Sequence, residues 1–143
     1  MKSVAFGGQE HERVEISVHG YERPPRGEYF DDNWLRVGVS IHAGAFSGGF
    51  GAAFLTAELE SFHEQLSSLH ETLKGEARFQ TLEEQLSLVL KGNGLGHIEL
   101  AGEALDQPGI GSRLCFTISL DQSHLRSSLE SLRAVLATFP VRT

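Results

Sequence analysis

Apolar positions recur every second residue in several short runs and every three to four residues in two longer ones. The chain therefore predicts strands interrupted by two amphipathic helices. Val14, Ile16 and Val18 alternate with Arg13, Glu15, Ser17 and His19, a half-exposed strand. Tyr21-Glu22-Arg23-Pro24-Pro25-Arg26-Gly27 breaks it, and Asp31-Asp32-Asn33 follow as turn formers. Leu35, Val37, Val39 and Ile41 then share one face of a second strand that starts at Trp34. The glycine-rich 44–51 segment suits a hairpin or bulged edge, with Phe50, Ala52 and Phe54 on the return strand.

Thr56 is placed to cap the first helix, with Glu58 and Glu60 in its first turn. Leu59, Phe62, Leu66, Leu69 and Leu73 form its buried stripe, and Gly75 its C-terminal stop. Strands centred on 77–79, 85–90 and 97–101 follow, the last two separated by a turn at Gly92-Asn93-Gly94. After a turn at 107–111, Leu114, Phe116, Ile118 and Leu120 alternate with Cys115, Thr117 and Ser119 in a final strand. It runs into a helix striped by Leu125, Leu129, Leu132, Leu136 and Phe139, with Asp121 as the N-cap at the positive end of the helix dipole.

The order β-β-β-α-β-β-β-β-α, joined by short turns, predicts an α+β fold. It would be an antiparallel meander sheet of about six or seven strands with both helices packed on one face. Cys115, Thr117 and Ser40 fall on the other face. At 143 residues the chain fits a single domain spanning 1–143, without internal sequence repeats. Within it, 1–27 supply an N-terminal strand and a proline-rich turn. No apolar run is long enough to span a membrane, and the first residues lack the apolar core of a secretory signal, so the expected location is cytoplasmic.

Charge sharpens this picture. The net charge is −7, which disfavours direct binding to a phosphate backbone. Residues 57–84 hold seven carboxylates against Lys74 and Arg78, a local −5, while the rest of the chain is nearly balanced. For any one glutamate the plain reading is a solvated helix face; together they make an acidic surface that would steer a basic protein partner. Glu58, Glu60, Glu64 and Glu71 are the candidate contact residues. Trp34 joins them as a candidate, although a lone Trp at a strand start is ordinarily a core-edge anchor.

Catalytic and metal chemistry finds little support in the residues. His11-Glu12, His63-Glu64 and His70-Glu71 begin like a zinc-protease motif, but the second histidine is replaced by Glu15, Ser67 and Lys74. His63 and His70 stand two helical turns apart, about 10 Å, too far to share one ion directly. The glycine-rich segment lacks the Gly-Lys-Ser/Thr ending of a phosphate loop, and Ser47 does not sit in a nucleophile elbow. Cys115 alone forms neither a disulfide nor a thiolate metal site. The residues thus predict no enzyme, no cofactor and no metal.

Asp32-Asn33-Trp34-Leu35, the 44–51 turn, Gly75-Glu76-Ala77-Arg78-Phe79, Gly96-His97-Ile98 and Leu114-Cys115-Phe116 with Asp121-Gln122-Ser123-His124-Leu125 together resemble the WapI-type immunity family. The resemblance covers residues 28–140 and leaves the first 27 unmatched. It implies a small bacterial, non-enzymatic protein that binds and neutralises a cognate toxin; the family takes its name from a member acting against a tRNA-cleaving toxin. A basic nuclease would suit the acidic region. The alternative is a small-ligand-binding or regulatory module with a pocket between helices and sheet, and homodimerisation through an edge strand stays open.

Overall fold

A computed structural model describes residues 2–8 and 12–143. Its elements are β1 (Lys2–Gly7), β2 (Arg13–Tyr21), the single-turn α1 (Tyr29–Asp32), β3 (Trp34–Ala43), β4 (Phe46–Leu55), α2 (Thr56–Thr72), β5 (Lys74–Phe79), β6 (Leu86–Asn93), β7 (His97–Gln107), β8 (Ile110–Asp121) and α3 (Gln122–Thr138). The strands are antiparallel meanders as expected, but they form two four-stranded sheets, β1-β2-β3-β4 and β5-β6-β7-β8, rather than one. Helix α2 separates them. The strand missing from the sequence reading is β1, where Val4 and Phe6 point into the core and alternate with Ser3 and Ala5.

Four strands followed by a long helix occur twice, although the sequence shows no repeat. The helices are exchanged between the halves: α2 packs along β5 and α3 along β1. Each covers a sheet edge. Gln65 on α2 accepts the Arg78 backbone N–H of β5 at 2.9 Å, and the Ser128 hydroxyl on α3 donates to the Ala5 carbonyl of β1 at 2.5 Å. Unpaired backbone groups at these two edges thus find partners on the neighbouring helix, which blunts them as templates for another strand.

One core serves both sheets. Val14, Ile16, Val18, Leu35, Val37, Val39 and Ile41 from the first meet Leu86, Leu88, Leu90, Ile98, Leu100, Ile118 and Leu120 from the second. A chain of aromatic rings joins the layers: Phe54 on β4 lies edge-on to Phe79 on β5 at 5.1 Å, Phe79 meets Phe62 on α2, and Phe62 meets Phe6 on β1. Gln85, only 2% exposed, bridges the sheets by donating to the carbonyls of Gly51 and Leu105 at 3.3 and 3.2 Å. On β7, Gly102 pairs with Phe116, whose ring occupies the space a Cβ there would need.

Helix ends follow local chemistry, with two corrections. Asp121 caps α3 as expected, its carboxylate accepting the backbone N–H groups of Ser123 and His124 at 2.9 and 3.1 Å. The N-cap of α2 is Leu55 rather than Thr56, because Glu58 reaches back to accept the Leu55 N–H at 2.7 Å. Thr56 is instead the first helical residue, and its hydroxyl is committed to Asn33. At the other end Leu73 itself takes the left-handed conformation (φ 59°) that Gly75 was expected to supply, and Gly75 lies in β5. The turn after β6 falls on Gly94–Gly96, with the Asn93 side chain accepting the N–H groups of Leu95 and His97.

Asp31, Asp32 and Asn33 do more than turn the chain. Asp32 is buried and gathers the proline-rich loop: its carboxylate accepts the backbone N–H groups of Arg26, Gly27 and Glu28 and lies 3.2 Å from the Arg23 guanidinium. Burial works to raise its pKa, but the three backbone donors and Arg23 outweigh it and hold the carboxyl below its ordinary value. A depressed folded-state pKa gives stability that is complete above the unfolded value and is lost as pH falls through the folded one. Asp32→Asn is therefore expected to lose less stability than the parent chain on acidification from ~pH 5 to ~pH 2. Urea unfolding at fixed pH values measures this; parallel pH profiles for the two chains would refute it.

Candidate partner interface

Residues 60, 64, 67 and 71 fall along one line of α2, opposite the line of Leu59, Phe62, Leu66 and Leu69 that enters the core. Helical periodicity thus places Glu60, Glu64 and Glu71 on a single outward ridge. All three are exposed and none is held by an ion pair with a described residue. Glu60 and Glu64, four residues apart, repel one another slightly, a cost the helix bears, while Ser67 separates Glu64 from Glu71. The ridge is available for contact.

The other carboxylates of the acidic region are differently employed. Glu58 lies on another side of α2 and is half-buried. One oxygen accepts the Leu55 N–H and the other the Leu82 N–H at 2.5 Å, which ties the helix start to the 80–85 loop. Burial raises its pKa, the two backbone donors oppose this, and nearby Glu83 adds to the rise. Glu76, on β5, is neutralised by Arg78 at 2.9 Å and Lys91 at 3.4 Å. The local −5 is therefore spread over a free ridge of three residues, a structural tether, a satisfied cluster on β5, Lys74, and Glu83 and Glu84 in the loop that follows β5.

Trp34 is half-buried at the start of β3, directly across from Leu55 in the β3–β4 pair. It borders the N-terminal end of α2 instead of projecting from the ridge. On the flank of α2 facing the second helix, His63 has a buried Nε2 without a described partner. Burial, together with the nearby Arg133 charge, lowers its pKa and favours the neutral ring. His70 borders an open groove of about 550 Å³ with Leu95, Gly96, Gln122 and Arg126. Asp121 lines it too, but its carboxylate is already spent on the α3 cap.

One exposed feature escaped the sequence reading. Tyr29 and Phe30 of α1 stand 48% and 65% exposed, their rings edge-to-face at 5.4 Å, on the loop that Asp32 organises. Adjacent aromatics in a polar turn between Gly27 and Asp31 were the available signal. Rigidly held exposed aromatics are the residue type that dominates protein interfaces.

Chemistry beyond binding is sparsely furnished. Among the described residues no group of three His, Cys, Asp or Glu side chains is arranged to hold a metal ion. His11, which begins one of the motifs weighed above, lies outside the described residues. The Asp121–His124 pair is explained by capping, since His124 Nδ1 accepts the Asp121 N–H at 3.2 Å while Asp121 caps the helix. Cys115 is exposed on β8. Phe6, Phe62 and Phe79 fill the region between α2 and the sheets where a ligand-binding module would carry its pocket.

The model of the immunity protein WapI-like family matches residues 5–140. The chain belongs to this family. The match takes in the end of β1, all of β2 and the proline-rich loop, so membership extends well into the first 27 residues that the resemblance had left unassigned. No curated protein matches the chain. Membership of an immunity family gives this protein a toxin-neutralising role in general terms. None of its described helices is long and apolar enough to cross a membrane.

Proposed function

We propose that this protein neutralises a cognate bacterial toxin by binding it in the cytoplasm, with the α2 ridge of Glu60, Glu64 and Glu71 steering a basic, nuclease-type partner into place. Membership of the immunity family over residues 5–140 carries the toxin-neutralising part of this reading. The ridge supports the choice of a basic partner, because three unpaired carboxylates in a row attract cations and repel nucleic acid. Glu58 and Trp34 border the same end of the helix and would extend the contact, Glu58 through its fixed position rather than a free charge. Tyr29 and Phe30 are a second contact candidate.

Inhibition by binding is stoichiometric. Titrating the purified protein into its toxin is expected to abolish toxin activity near one equivalent, and co-expression is expected to restore growth and yield a co-purifying complex. Turnover would instead protect at a small fraction of an equivalent. Absence of rescue and of complex formation with every toxin encoded beside it would sink the proposal.

A further inference from the structure

The sheet edges at β1 and β5 lie under helices, whereas β4 keeps an open one. Gly51 and Leu55 direct backbone groups away from β3: the Gly51 carbonyl accepts from Gln85 and the Leu55 N–H binds Glu58. Thr56, of the opposite parity, donates its N–H to Asn33 on the β3 side. Alternation along an antiparallel strand then turns the N–H and C=O of Ser47 and Gly49 to the free edge as well. No described residue bonds them there.

Natural edges are ordinarily protected by charge, proline, a bulge or a covering element. Residues 43–55 contain no charged residue and no proline, and β4 pairs with β3 without a register shift. In Phe46-Ser47-Gly48-Gly49-Phe50 the two phenylalanines also stand equidistant from Gly48. Phe46 and Phe50 share the sheet face that carries the core, opposite Ala43 and Val39, yet Phe46 is 67% exposed. Both line a groove of about 340 Å³ with Ile41, Ala104 and Leu114, at the mouth between the sheets, where Asp106, Ser112 and Arg113 of the β7–β8 hairpin form its polar wall.

We infer that the β4 edge pairs with the β4 edge of a second copy of this chain, antiparallel about a two-fold axis at Gly48. Ser47 and Gly49 then exchange N–H···O bonds with the partner's Gly49 and the partner's Ser47, which matches the parity of the free edge. Phe46 falls opposite the partner's Phe50 in a non-hydrogen-bonded pair, the closer of the two pair types. Gly48 meets its own copy on the axis, where the absence of side chains leaves room for the two flanking ring pairs. A chain of net charge −7 resists self-association, but this strand carries no charge, and the two charged residues beside it, Asp106 and Arg113, are of opposite sign. An unrelated partner strand has no need of two phenylalanines equidistant from a central glycine.

Sedimentation velocity of the purified chain, without toxin, at ~1–100 µM tests the pairing against the usual affinity range for weak dimers. A species of twice the 15.7 kDa chain mass is expected. Ser47→Pro removes an edge N–H at a position where an edge strand tolerates proline, and Ser47→Lys places like charges near the axis. Each is expected to weaken the dimer at least about tenfold while preserving the circular dichroism spectrum. If Ser47→Pro does not fold, Ser47→Lys decides. A parent chain that stays monomeric throughout, or a folded Ser47 variant that dimerises as the parent does, overturns the inference and leaves toxin binding untouched.

Discussion

Reversing the ridge with Glu60→Lys, Glu64→Lys and Glu71→Lys together is expected to slow association with the toxin by a factor of 10 to 10³ at low ionic strength, the range over which steering accelerates encounter. The dissociation rate should change far less, because exposed charges act mainly on the approach of the partners. Raising the salt to ~0.5 M shortens the screening length to a few ångströms and should bring variant and parent together. Fold stability should stay within about 0.5 kcal/mol, since all three side chains are exposed. Lysine at 60 opposes the positive end of the α2 dipole and lysine at 71 favours its negative end, so those contributions largely cancel. A control with the same change in net charge, Glu22→Lys, Glu99→Lys and Glu130→Lys, uses exposed sites off the ridge. Stopped-flow association that slows equally in both triples would show that total charge, not the ridge, sets the rate.

The ridge could be read from spacing alone, since 60, 64 and 71 fall on one side of any α-helix. What spacing could not show is which neighbouring carboxylates were free. Glu58 meets the Leu82 N–H from a loop 24 positions away, and Glu76 meets Lys91 across a strand pair. Both partners are set by tertiary structure. The same limit explains the sheet. Leu86, Leu88 and Leu90 alternate inward whether their strand joins β4 or begins a new sheet, so hydrophobic period fixes the buried face and leaves the strand's neighbours open. The β8–α3 junction was legible throughout because its determinants are local: alternation, a cap within three residues and a helical stripe. The first strand was missed because Lys2–Gly7 carries only two large apolar residues, Val4 and Phe6.

Asn33→Ala is expected to cost about 2–4 kcal/mol, more than any surface change, because one buried amide ties its own turn to two distant segments. Asn33 is 1% exposed. Its Nδ2 donates to the Tyr29 carbonyl at 2.7 Å and the Arg142 carbonyl at 2.9 Å, and its Oδ1 accepts the Thr56 hydroxyl at 3.0 Å and the Arg142 N–H at 2.7 Å. Two donated and two accepted bonds use the full capacity of the amide. Alanine would leave the Thr56 hydroxyl, itself 0% exposed, without that partner, and would free the end of the chain. Arg142 also stacks on Tyr21 with its guanidinium carbon 3.4 Å from the ring centroid, and it donates to the Arg23 and Asp32 carbonyls. Losing its anchor should therefore loosen the proline-rich loop as well. Asn33→Asp should be no milder, since a carboxylate oxygen would face two carbonyl oxygens in place of the Nδ2 donor. Thr56→Val removes one bond and should cost about 1 kcal/mol. If the amide and hydroxyl act on each other, the Asn33→Ala, Thr56→Val double variant should be less destabilised than the two losses added, by at least about 0.5 kcal/mol. Urea unfolding reads all four; an Asn33→Ala loss under about 0.5 kcal/mol would mean that water replaces the amide freely and that the C-terminal segment is not secured by it.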